Sequence, residues 1–384
     1  MDFWEFRNKE FARRDARLQN GQPMELIKTD DDKERLHIVY VMTWVGICGG
    51  SKIILQHCNQ LVSRGHRTTI VCHFPKPDWF ELDASVAFIH APMGEVLCEY
   101  IPRCDVIVAT YWKEIYECVE QKIAPVVYFE QGDTHLFDQE SIDVYTMRHI
   151  RKQISIAPFV YTVSTFASEK LKAHFSVNAN VIPNAIDKTI FFPISDAKVP
   201  DDGGKTIITT IGSEHIGFKC IVNIVIAIAI LRKMGHDIEF IWISPDAPSK
   251  LTMVPVRINP CQKEIGECMR KSDIYVCASH YESFCLPVLE AMTSGAAVIT
   301  TDNGGIRDFV KDRVSGLIIE QNNIADMVEK IAMLISDTQL RQGIAAAAME
   351  AAQAFDWQYT TDKLIDYYQD IASYRNPSSG TIIL

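Results

Sequence analysis

The chain has 384 residues, of which 47% are hydrophobic and 23% are charged, and its formal net charge is −11 at pH 7. A chain of this length usually forms two domains, and the composition is that of an ordinary globular protein. The acidic balance argues against a general nucleic-acid binder, because such proteins show a basic surface. We therefore expect two folded domains and no nucleic-acid partner.

Targeting signals and cysteine usage bear on the compartment. No apolar run approaches the roughly 20 residues that span a bilayer, and the N-terminus lacks the apolar core of a signal peptide. The 11 cysteines include no CxxC pair and no Cys/His cluster at metal-binding spacing, and Cys72 and Cys277 lie in apolar stretches typical of core residues. These features predict reduced thiols in a cytoplasmic protein.

Residues 1–34 form an N-terminal arm whose composition differs from the rest of the chain. It combines aromatic with basic residues, namely Phe3, Trp4, Phe6, Phe11, Arg7, Lys9, Arg13, Arg14 and Arg17. A basic amphipathic helix of this kind suits an anionic membrane surface, which would place the protein at the inner face of the membrane. The alternative is an arm that packs its aromatic side chains on the protein itself.

The first domain is predicted over residues 35–192. Apolar runs alternate with helical stretches there, which indicates a parallel sheet covered by helices on both faces. The predicted strands are 36–42, 68–74, 86–90, 105–110, 125–130 and 159–164.

The second domain is predicted over residues 206–355, after a linker at 193–205 that is rich in Pro, Asp and Gly. Its predicted strands are 206–212, 238–244, 273–279 and 296–301, and a further helix is predicted over 355–374. Two α/β layers joined by one linker are expected to leave a cleft between them.

The loop after the first strand contains Gly49 and Gly50 and opens a helix. Glycines at this place let the backbone approach an anionic ligand closely. The loop is neither a Walker loop nor a GxGxxG fingerprint, so it does not support a P-loop NTPase or a simple dehydrogenase. A plain tight turn is the alternative.

Two glutamates eight positions apart, Glu282 and Glu290, follow the strand at 273–279. Glu282 is predicted on the turn and Glu290 in the helix over 286–295. A strand, a tight turn and a helix N-terminus present free amides at a crevice, which is how α/β proteins hold phosphates. Carboxylates beside such a site can accept hydrogen bonds from sugar hydroxyls, whereas two solvated surface charges are the alternative.

The surroundings of this pair carry a family resemblance. Glu282, Ser283, Phe284, Cys285, Leu286 and Pro287 lead to Glu290, Ala291 and Met292, and the match continues through Ser294, Gly295, Ala297 and Val298 to Gly304, Gly305, Gly316 and Leu317. The pattern resembles that of retaining nucleotide-sugar glycosyltransferases of family 4, which have the GT-B fold. Weaker matches extend from about residue 36 to residue 358.

The resemblance implies two Rossmann-like domains with doubly wound parallel sheets facing across a cleft. The first is on the acceptor side and is completed by a C-terminal helix over 356–384, and the second binds the donor. The implied reaction moves a sugar, with retention, from a nucleotide diphosphate sugar to an acceptor hydroxyl of a carbohydrate, a lipid-linked glycan or another glycosyl acceptor. It implies no cofactor and no metal.

Residue roles follow from the same resemblance. Lys219 matches the family's phosphate-binding lysine, whereas Ser213 stands where the family has an arginine. Either His215, another basic side chain or the acceptor compensates for this loss, or the enzyme is slow or binds its donor weakly. Glu282 and Lys219 are thereby the implied catalytic residues, and the other implied ligand contacts are Gly49, Gly50, Ser213, Gln131, His135, Ser283, Phe284, Cys285, Leu286 and Glu290. Gln131 occupies the place of a histidine that many relatives aim at the donor sugar, and His135 lies nearby.

Other functional classes remain open at this level. One alternative is a GT-B module that binds a nucleotide or a glycan without catalysis, as a partner subunit. The replacements at Ser213 and Gln131 are the best support for this alternative. A sugar-nucleotide epimerase of the same fold lacks support from the pattern over 280–319, and a phosphorylase would need a pyridoxal-bearing lysine, which the sequence does not identify.

Overall fold

The computed structural model describes residues 3–30, 33–194 and 204–377. The chain forms two compact units. Unit 1 comprises Met1–Pro183 and Gln358–Leu384, and unit 2 comprises Asn184–Trp357. The chain thus passes from unit 1 to unit 2 at Pro183, before the predicted linker at 193–205, and residues 195–203 of that linker lie outside the described part.

Unit 1 is built on a sheet of seven parallel strands. The strands are β2 (His37–Met42), β3 (Arg67–Cys72), β4 (Ala87–His90), β5 (Val106–Ala109), β6 (Val126–Glu130), β7 (Phe159–Thr162) and β8 (Asn180–Val181). Their spatial order is β4-β3-β2-β5-β6-β7-β8. The central strands are apolar and buried along almost their whole length, because helices cover a parallel sheet on both faces.

The helices of unit 1 are α1 (Phe3–Leu18), α2 (Gly49–Ser63), α3 (Ile115–Glu120), α4 (Thr134–Phe137), α5 (Val144–Ile156), α6 (Thr165–Phe175) and α12 (Trp357–Ala372), numbered along the chain. Four of them, α2, α4, α5 and α6, begin at side chains that cap their free amides. The side chains of Asp143 and Ser164, for example, accept hydrogen bonds from the first-turn amides of α5 and α6.

The C-terminal helix α12 packs on the sheet of unit 1. The buried hydroxyl of Tyr368 lies 3.0 Å from that of Tyr40 in β2 and 2.9 Å from that of Tyr161 in β7. Beyond the helix, β15 (Tyr374–Arg375) pairs antiparallel with β1 (Ile27–Lys28). These contacts attach the end of the chain to the unit that contains its beginning.

Unit 2 has a second parallel sheet, of six strands. The strands are β9 (Thr206–Ile211), β10 (Ile238–Ser244), β11 (Val256–Ile258), β12 (Ile274–Cys277), β13 (Ala297–Thr301) and β14 (Leu317–Ile319), in the spatial order β11-β10-β9-β12-β13-β14. The helices are α7 (Ile221–Lys233), α8 (Gln262–Lys271), α9 (Leu286–Thr293), α10 (Ile324–Ser336) and α11 (Thr338–Ala352).

The predicted fold class is confirmed, since both units are parallel α/β layers and all ten predicted strands are present. The sequence did not predict the short strands β8, β11 and β14, which lie at or next to a sheet edge. Strands of two or three residues are too short to show a hydrophobic period.

The N-terminal helix α1 lies on unit 1 and its arginines are paired there. Arg14, which is 1% exposed, donates from Nε to Glu117 over 2.9 Å, and its Nη2 lies 3.1 Å from Glu10. Arg13 donates to the same Glu117 carboxylate over 2.9 Å, and Arg17 lies 3.2 Å from Glu120. These basic side chains, which had suggested a membrane surface, are therefore engaged by glutamates of the same unit.

Arg14→Ala is expected to destabilise the protein by about 3–5 kcal/mol, because it removes the arginine nearest to the buried Glu10 carboxylate and one of the two arginines that donate to Glu117. Arg17→Ala is the matched control, since this side chain is 33% exposed and its loss is expected to cost about 1 kcal/mol or less. Urea unfolding of both variants measures the difference. Equal losses for the two would show that the Arg14 cluster does not hold α1 in place.

Candidate functional site

The candidate site of unit 2 lies at the carboxyl edge of its sheet. Strands β9, β12 and β13 are neighbours there, so the loops that follow them meet. The chain runs outward from β9 to β10 and β11, and then returns to β12 on the other side. This is a topological switch point, where open α/β sheets form a ligand crevice.

An ion pair joins the loops on either side of this switch point. Lys219 ends a single 3-10 turn, Gly217–Lys219, after β9, and Glu282 follows β12. The Lys219 Nζ lies 2.6 Å from the Glu282 Oε1, and the two side chains are 22% and 15% exposed. The structure therefore brings together the two residues that the sequence implied as catalytic.

The environment of Lys219 fixes its charge. Burial lowers the pKa of Lys219, but the carboxylate of Glu282 outweighs burial and holds the pKa above its ordinary value. The ammonium also lies 5.4 Å from the ring centre of Phe218, which stacks on Tyr281 at 4.5 Å. Lys219 is consequently a fixed cation throughout the neutral pH range.

The loop of Glu282 is supported from behind by the loop after β13. The Glu282 N–H donates to the Asn303 carbonyl over 2.9 Å. A Cβ at Gly305 would lie 2.7 Å from the Phe284 nitrogen and 2.8 Å from the Glu282 oxygen, so this position tolerates only glycine without backbone movement. The two loops therefore hold each other at backbone contact distance.

Helix α9 begins at the end of this loop. Cys285 precedes Leu286 with a φ of 61°, a left-handed conformation that favours glycine. Glu290 is only 5% exposed in this helix, and Phe284, at 2%, packs its ring against Phe309 and Phe355. Phe284 thus faces the core with its side chain, while the backbone of 283–286 lies at the helix N-terminus.

Ser213 is held by an acid. Its buried Oγ donates to both carboxylate oxygens of Asp246, over 2.8 and 2.9 Å, and accepts from the His215 N–H at 3.1 Å. The His215 ring reaches the Ala247 carbonyl at 3.2 Å. The position of the family's arginine is therefore filled by a serine–aspartate pair, and His215 is attached to the neighbouring loop.

A group of metal-ligating side chains surrounds Glu282. Its carboxylate and the sulfurs of Cys277 and Cys285 all lie within 4.8 Å of one another. The two sulfurs are 3.7 Å apart, and their hydrogen bond lowers the pKa of Cys277 and raises that of Cys285. Sequence spacing had predicted no such cluster and had assigned Cys277 to the core, because the fold rather than the spacing brings these residues together.

In unit 1, the predicted glycines lie in the first turn of α2. Cys48 caps this helix and accepts from the Ser51 N–H at 3.3 Å. Gln131, which follows β6, donates from Nε2 to the Gly50 carbonyl over 3.3 Å, and a Cβ at Gly50 would lie 3.3 Å from the same nitrogen. The structure thus brings Gly50 and Gln131 into contact, and Gly49 lies exposed beside them.

His135 lies in α4 and faces inward. It is 1% exposed, and its Nε2 lies 2.7 Å from the Oε2 of Glu130 at the end of β6. The Tyr128 hydroxyl and the Gly132 N–H also donate to this carboxylate, over 2.7 and 2.6 Å. Burial lowers the pKa of His135, but Glu130 outweighs it and raises the pKa above 6.5. This histidine therefore supports the loop after β6 from within.

Two partners in these sites were not singled out from the sequence, namely Asp246 and Asn303. Asp246 could have been selected by position, because it follows a predicted strand where ligand crevices form. Asn303 offered no such signal, since it lies within a turn rich in small polar residues.

Within the described residues, no helix has the length and apolar character required to cross a membrane.

Comparison with known proteins finds similarity to glycosyl transferases. Residues 254–351, which include Glu282 and Glu290, match the family described as glycosyl transferases group 1. A D-inositol 3-phosphate glycosyltransferase of Saccharomonospora viridis is 36% identical over 114 residues, which cover 29% of this chain and 26% of that protein. The alignment thus spans about a quarter of the curated relative.

Solved structures resemble the whole fold. Sucrose-phosphate synthase from Thermosynechococcus elongatus superposes with a TM-score of 0.73 at 17% identity, over 87% of this chain and 98% of that one. Anabaena Alr3699/HepE in complex with UDP-glucose gives a TM-score of 0.69 at 15% identity, over 86% and 99%.

The parallel sheets of the two units and these likenesses define the fold as that of GT-B glycosyltransferases. Residues 254–351, about a quarter of the chain, are similar to the group 1 glycosyl transferases, and the loop and helix that carry both glutamates lie within that match.

Glu130→Gln is expected to lower the pKa of His135 below its ordinary value, because burial then acts without the opposing carboxylate. NMR titration of the imidazole measures the shift. Because the wild-type pKa is raised, the His135–Glu130 pair stabilises the fold fully below about pH 6.5. This stabilisation is lost as the pH rises through the folded-state pKa of His135, and Glu130→Gln should not show this pH dependence.

Asp133→Asn is the matched control for that titration. Asp133 caps α4, a role that asparagine also performs, and it acts on His135 less strongly than Glu130 does. A smaller fall in the pKa is expected. An unchanged pKa in Glu130→Gln would show that the carboxylate does not govern the imidazole.

Proposed function

We propose that the protein is a retaining glycosyltransferase that moves a sugar from a nucleotide diphosphate sugar to an acceptor hydroxyl. The observation that carries the proposal is the Lys219–Glu282 pair, which places a cation and an acceptor of hydrogen bonds side by side at the switch point of unit 2. The group 1 match over residues 254–351 supports it. In this proposal unit 2 binds the donor and unit 1 faces the acceptor.

The main electrostatic task of such a transfer is to stabilise the departing diphosphate. The sugar passes through an oxocarbenium-like state while negative charge builds on the leaving group. One cation at about 4 Å and an effective dielectric near 20 offers roughly 4 kcal/mol of gross attraction, whereas a helix N-terminus offers about 0.3–1 kcal/mol. Lys219 is therefore the dominant group, and the amides of 283–286 supplement it.

Lys219 changes partner in this scheme. Its ammonium pairs with Glu282 at 2.6 Å, and a bound diphosphate would draw it toward the phosphate oxygens. The Glu282 carboxylate is then free to accept hydrogen bonds from hydroxyls of the donor sugar, and Glu290 does the same for the ribose. No protein nucleophile is needed if the acceptor attacks on the side of the leaving group and a phosphate oxygen takes its proton.

Two positions where this chain departs from the family pattern, Ser213 and Gln131, modify this scheme. At Ser213 a neutral hydroxyl tied to Asp246 takes the place of a cation, so Lys219 has no arginine beside it there. Gln131, held by Gly50, would offer an amide to the donor in place of an imidazole. Both changes remove positive charge, and we expect a donor affinity that depends strongly on Lys219.

A uridine diphosphate sugar is the first donor to test, since the solved structure of Anabaena Alr3699/HepE is a complex with UDP-glucose. A screen of thermal stability against UDP-, GDP-, ADP- and dTDP-sugars is expected to single out one nucleotide. A ligand at 100 times its Kd stabilises the native state by about 2.7 kcal/mol, which gives a melting shift of several degrees. Equal melting temperatures with all four would contradict donor binding.

Two substitutions test the residue roles. Glu290→Ala is expected to weaken donor binding about tenfold or more, because the ribose loses a charged hydrogen-bond acceptor. Lys219→Ala is expected to lower kcat by about 10²–10³, because the leaving group loses its cation. Isothermal titration and a sugar-transfer assay measure these effects. Donor affinity and rate that survive both changes would disprove the assignment.

The controls are residues of the same type in the same unit. Glu329→Ala on α10 and Lys263→Ala on α8 remove exposed side chains, and both variants should behave as the wild type. Release of free sugar from the donor without acceptor separates catalysis from binding. A chain that binds the donor tightly but never releases sugar would be a partner subunit without catalysis.

A further inference from the structure

The surroundings of Glu282 contain a second arrangement that the transfer reaction does not use. Cys277 is 8% exposed at the end of β12, Cys285 is 4% exposed before α9, and Asn303 is 1% exposed after β13. The amide nitrogen of Asn303 lies 3.9 Å from the Cys277 sulfur and 3.7 Å from the Cys285 sulfur. Three loops thus bring two sulfurs, an amide and a carboxylate to one point.

The spacing of these atoms is that of a tetrahedral coordination shell. The two sulfurs are 3.7 Å apart, and each lies 3.7–3.9 Å from the Asn303 amide. Four ligand atoms about 2.3 Å from a central zinc ion, the usual zinc–sulfur distance, lie about 3.8 Å from one another. The Glu282 carboxylate lies within 4.8 Å of both sulfurs and would be the fourth ligand.

Asn303 adds an independent observation. Its Oδ1 is buried and makes no hydrogen bond, although its Nδ2 faces the two sulfurs. Rotating the amide by half a turn exchanges these two atoms, whose assignment depends on their contacts alone. The oxygen then points to the centre of the group, where a cation would satisfy it.

The backbone at Cys285 points in the same direction. This residue has a φ of 61°, which a side chain with a Cβ disfavours and which glycine adopts freely. Strained positions of this kind cluster at functional sites. Here the left-handed residue places its thiol against Cys277 and Glu282.

We propose that Cys277, Cys285, Asn303 and Glu282 form a binding site for a soft divalent cation of the zinc class. Thiolate sulfur selects such ions over magnesium and calcium, which prefer oxygen. Both thiols release their protons on binding, so that two thiolates and one carboxylate exceed the charge of the ion by one. The ammonium of Lys219, 2.6 Å from the Glu282 Oε1, offsets that excess.

A bound ion has a consequence for the proposed transfer. It engages Glu282 and keeps the carboxylate from the donor sugar, so the metal and the donor are expected to compete. Only this competition between metal and donor rests on the proposed function. The proposed metal site itself does not depend on it.

The test is a titration of the reduced full-length protein with Cd²⁺ and with Co²⁺, in the presence of a phosphine reductant and without donor. One equivalent of Cd²⁺ is expected to give the ultraviolet charge-transfer band of thiolate ligands, and Co²⁺ the intense visible bands of tetrahedral coordination. Neither readout depends on sugar transfer, so failure of the donor experiments leaves this result unaffected.

Variants identify the ligands. Cys277→Ser and Cys285→Gly should each weaken the thiolate band by at least half, because one thiolate ligand is lost. Cys285→Gly suits the backbone because glycine adopts the observed φ. Glu282→Gln should weaken binding at least tenfold while the band remains. Circular dichroism confirms that each variant is folded.

The control is the double variant Cys98→Ala with Cys118→Ala. These buried sulfurs are 3.5 Å apart in unit 1 and lie outside the group around Glu282. This variant should retain one equivalent of metal and the full band. The proposal would be overturned if the wild-type protein gave no charge-transfer band. It would also be overturned if the band kept its full intensity in each of the single variants Cys277→Ser and Cys285→Gly.

Discussion

The ion pair between Lys219 and Glu282 determines how the candidate site of unit 2 is arranged. The two residues are 63 positions apart and lie on loops that follow adjacent parallel strands. Their contact at 2.6 Å fixes the ammonium and the carboxylate against each other. The Glu282 backbone is in turn fixed by the Asn303 carbonyl and by the close approach of Gly305. Without this support the ammonium would have no defined position at the switch point.

The same pair limits the charge of the site. Ser213 donates to Asp246, so an acid rather than a base lies where the family resemblance implied an arginine. Lys219 is thus the cation that the structure places beside the family's glutamate, and Glu282 already neutralises it. In the proposed transfer, a diphosphate would compete with that carboxylate for Lys219, which would lower the affinity for the donor. The same competition would free Glu282 to bind the donor sugar.

The sequence predicted the sheets well because their central strands are short apolar runs separated by helices. It missed β11 and β14, whose three residues are too few to show a period. It also offered Lys219, Glu282 and Glu290 as candidate site residues, because the resemblance covers these positions. It did not predict that Lys219 contacts Glu282, or that Asn303 contacts both cysteines, since such contacts depend on strand order rather than on spacing along the chain.

The N-terminal arm illustrates the same difference between composition and fold. Arg13 and Arg14 resemble a membrane-binding face when only the arm is considered, but Glu117, over one hundred positions away, accepts hydrogen bonds from both. A buried carboxylate requires such partners, so the glutamates of α3 explain the arginines of α1. Cys277 in unit 2 is a second example. Its place in an apolar strand predicts a core residue, but in the fold the left-handed turn at Cys285 brings a second sulfur and Glu282 close to it. In both places the chemistry of a side chain follows from a distant partner that the fold supplies.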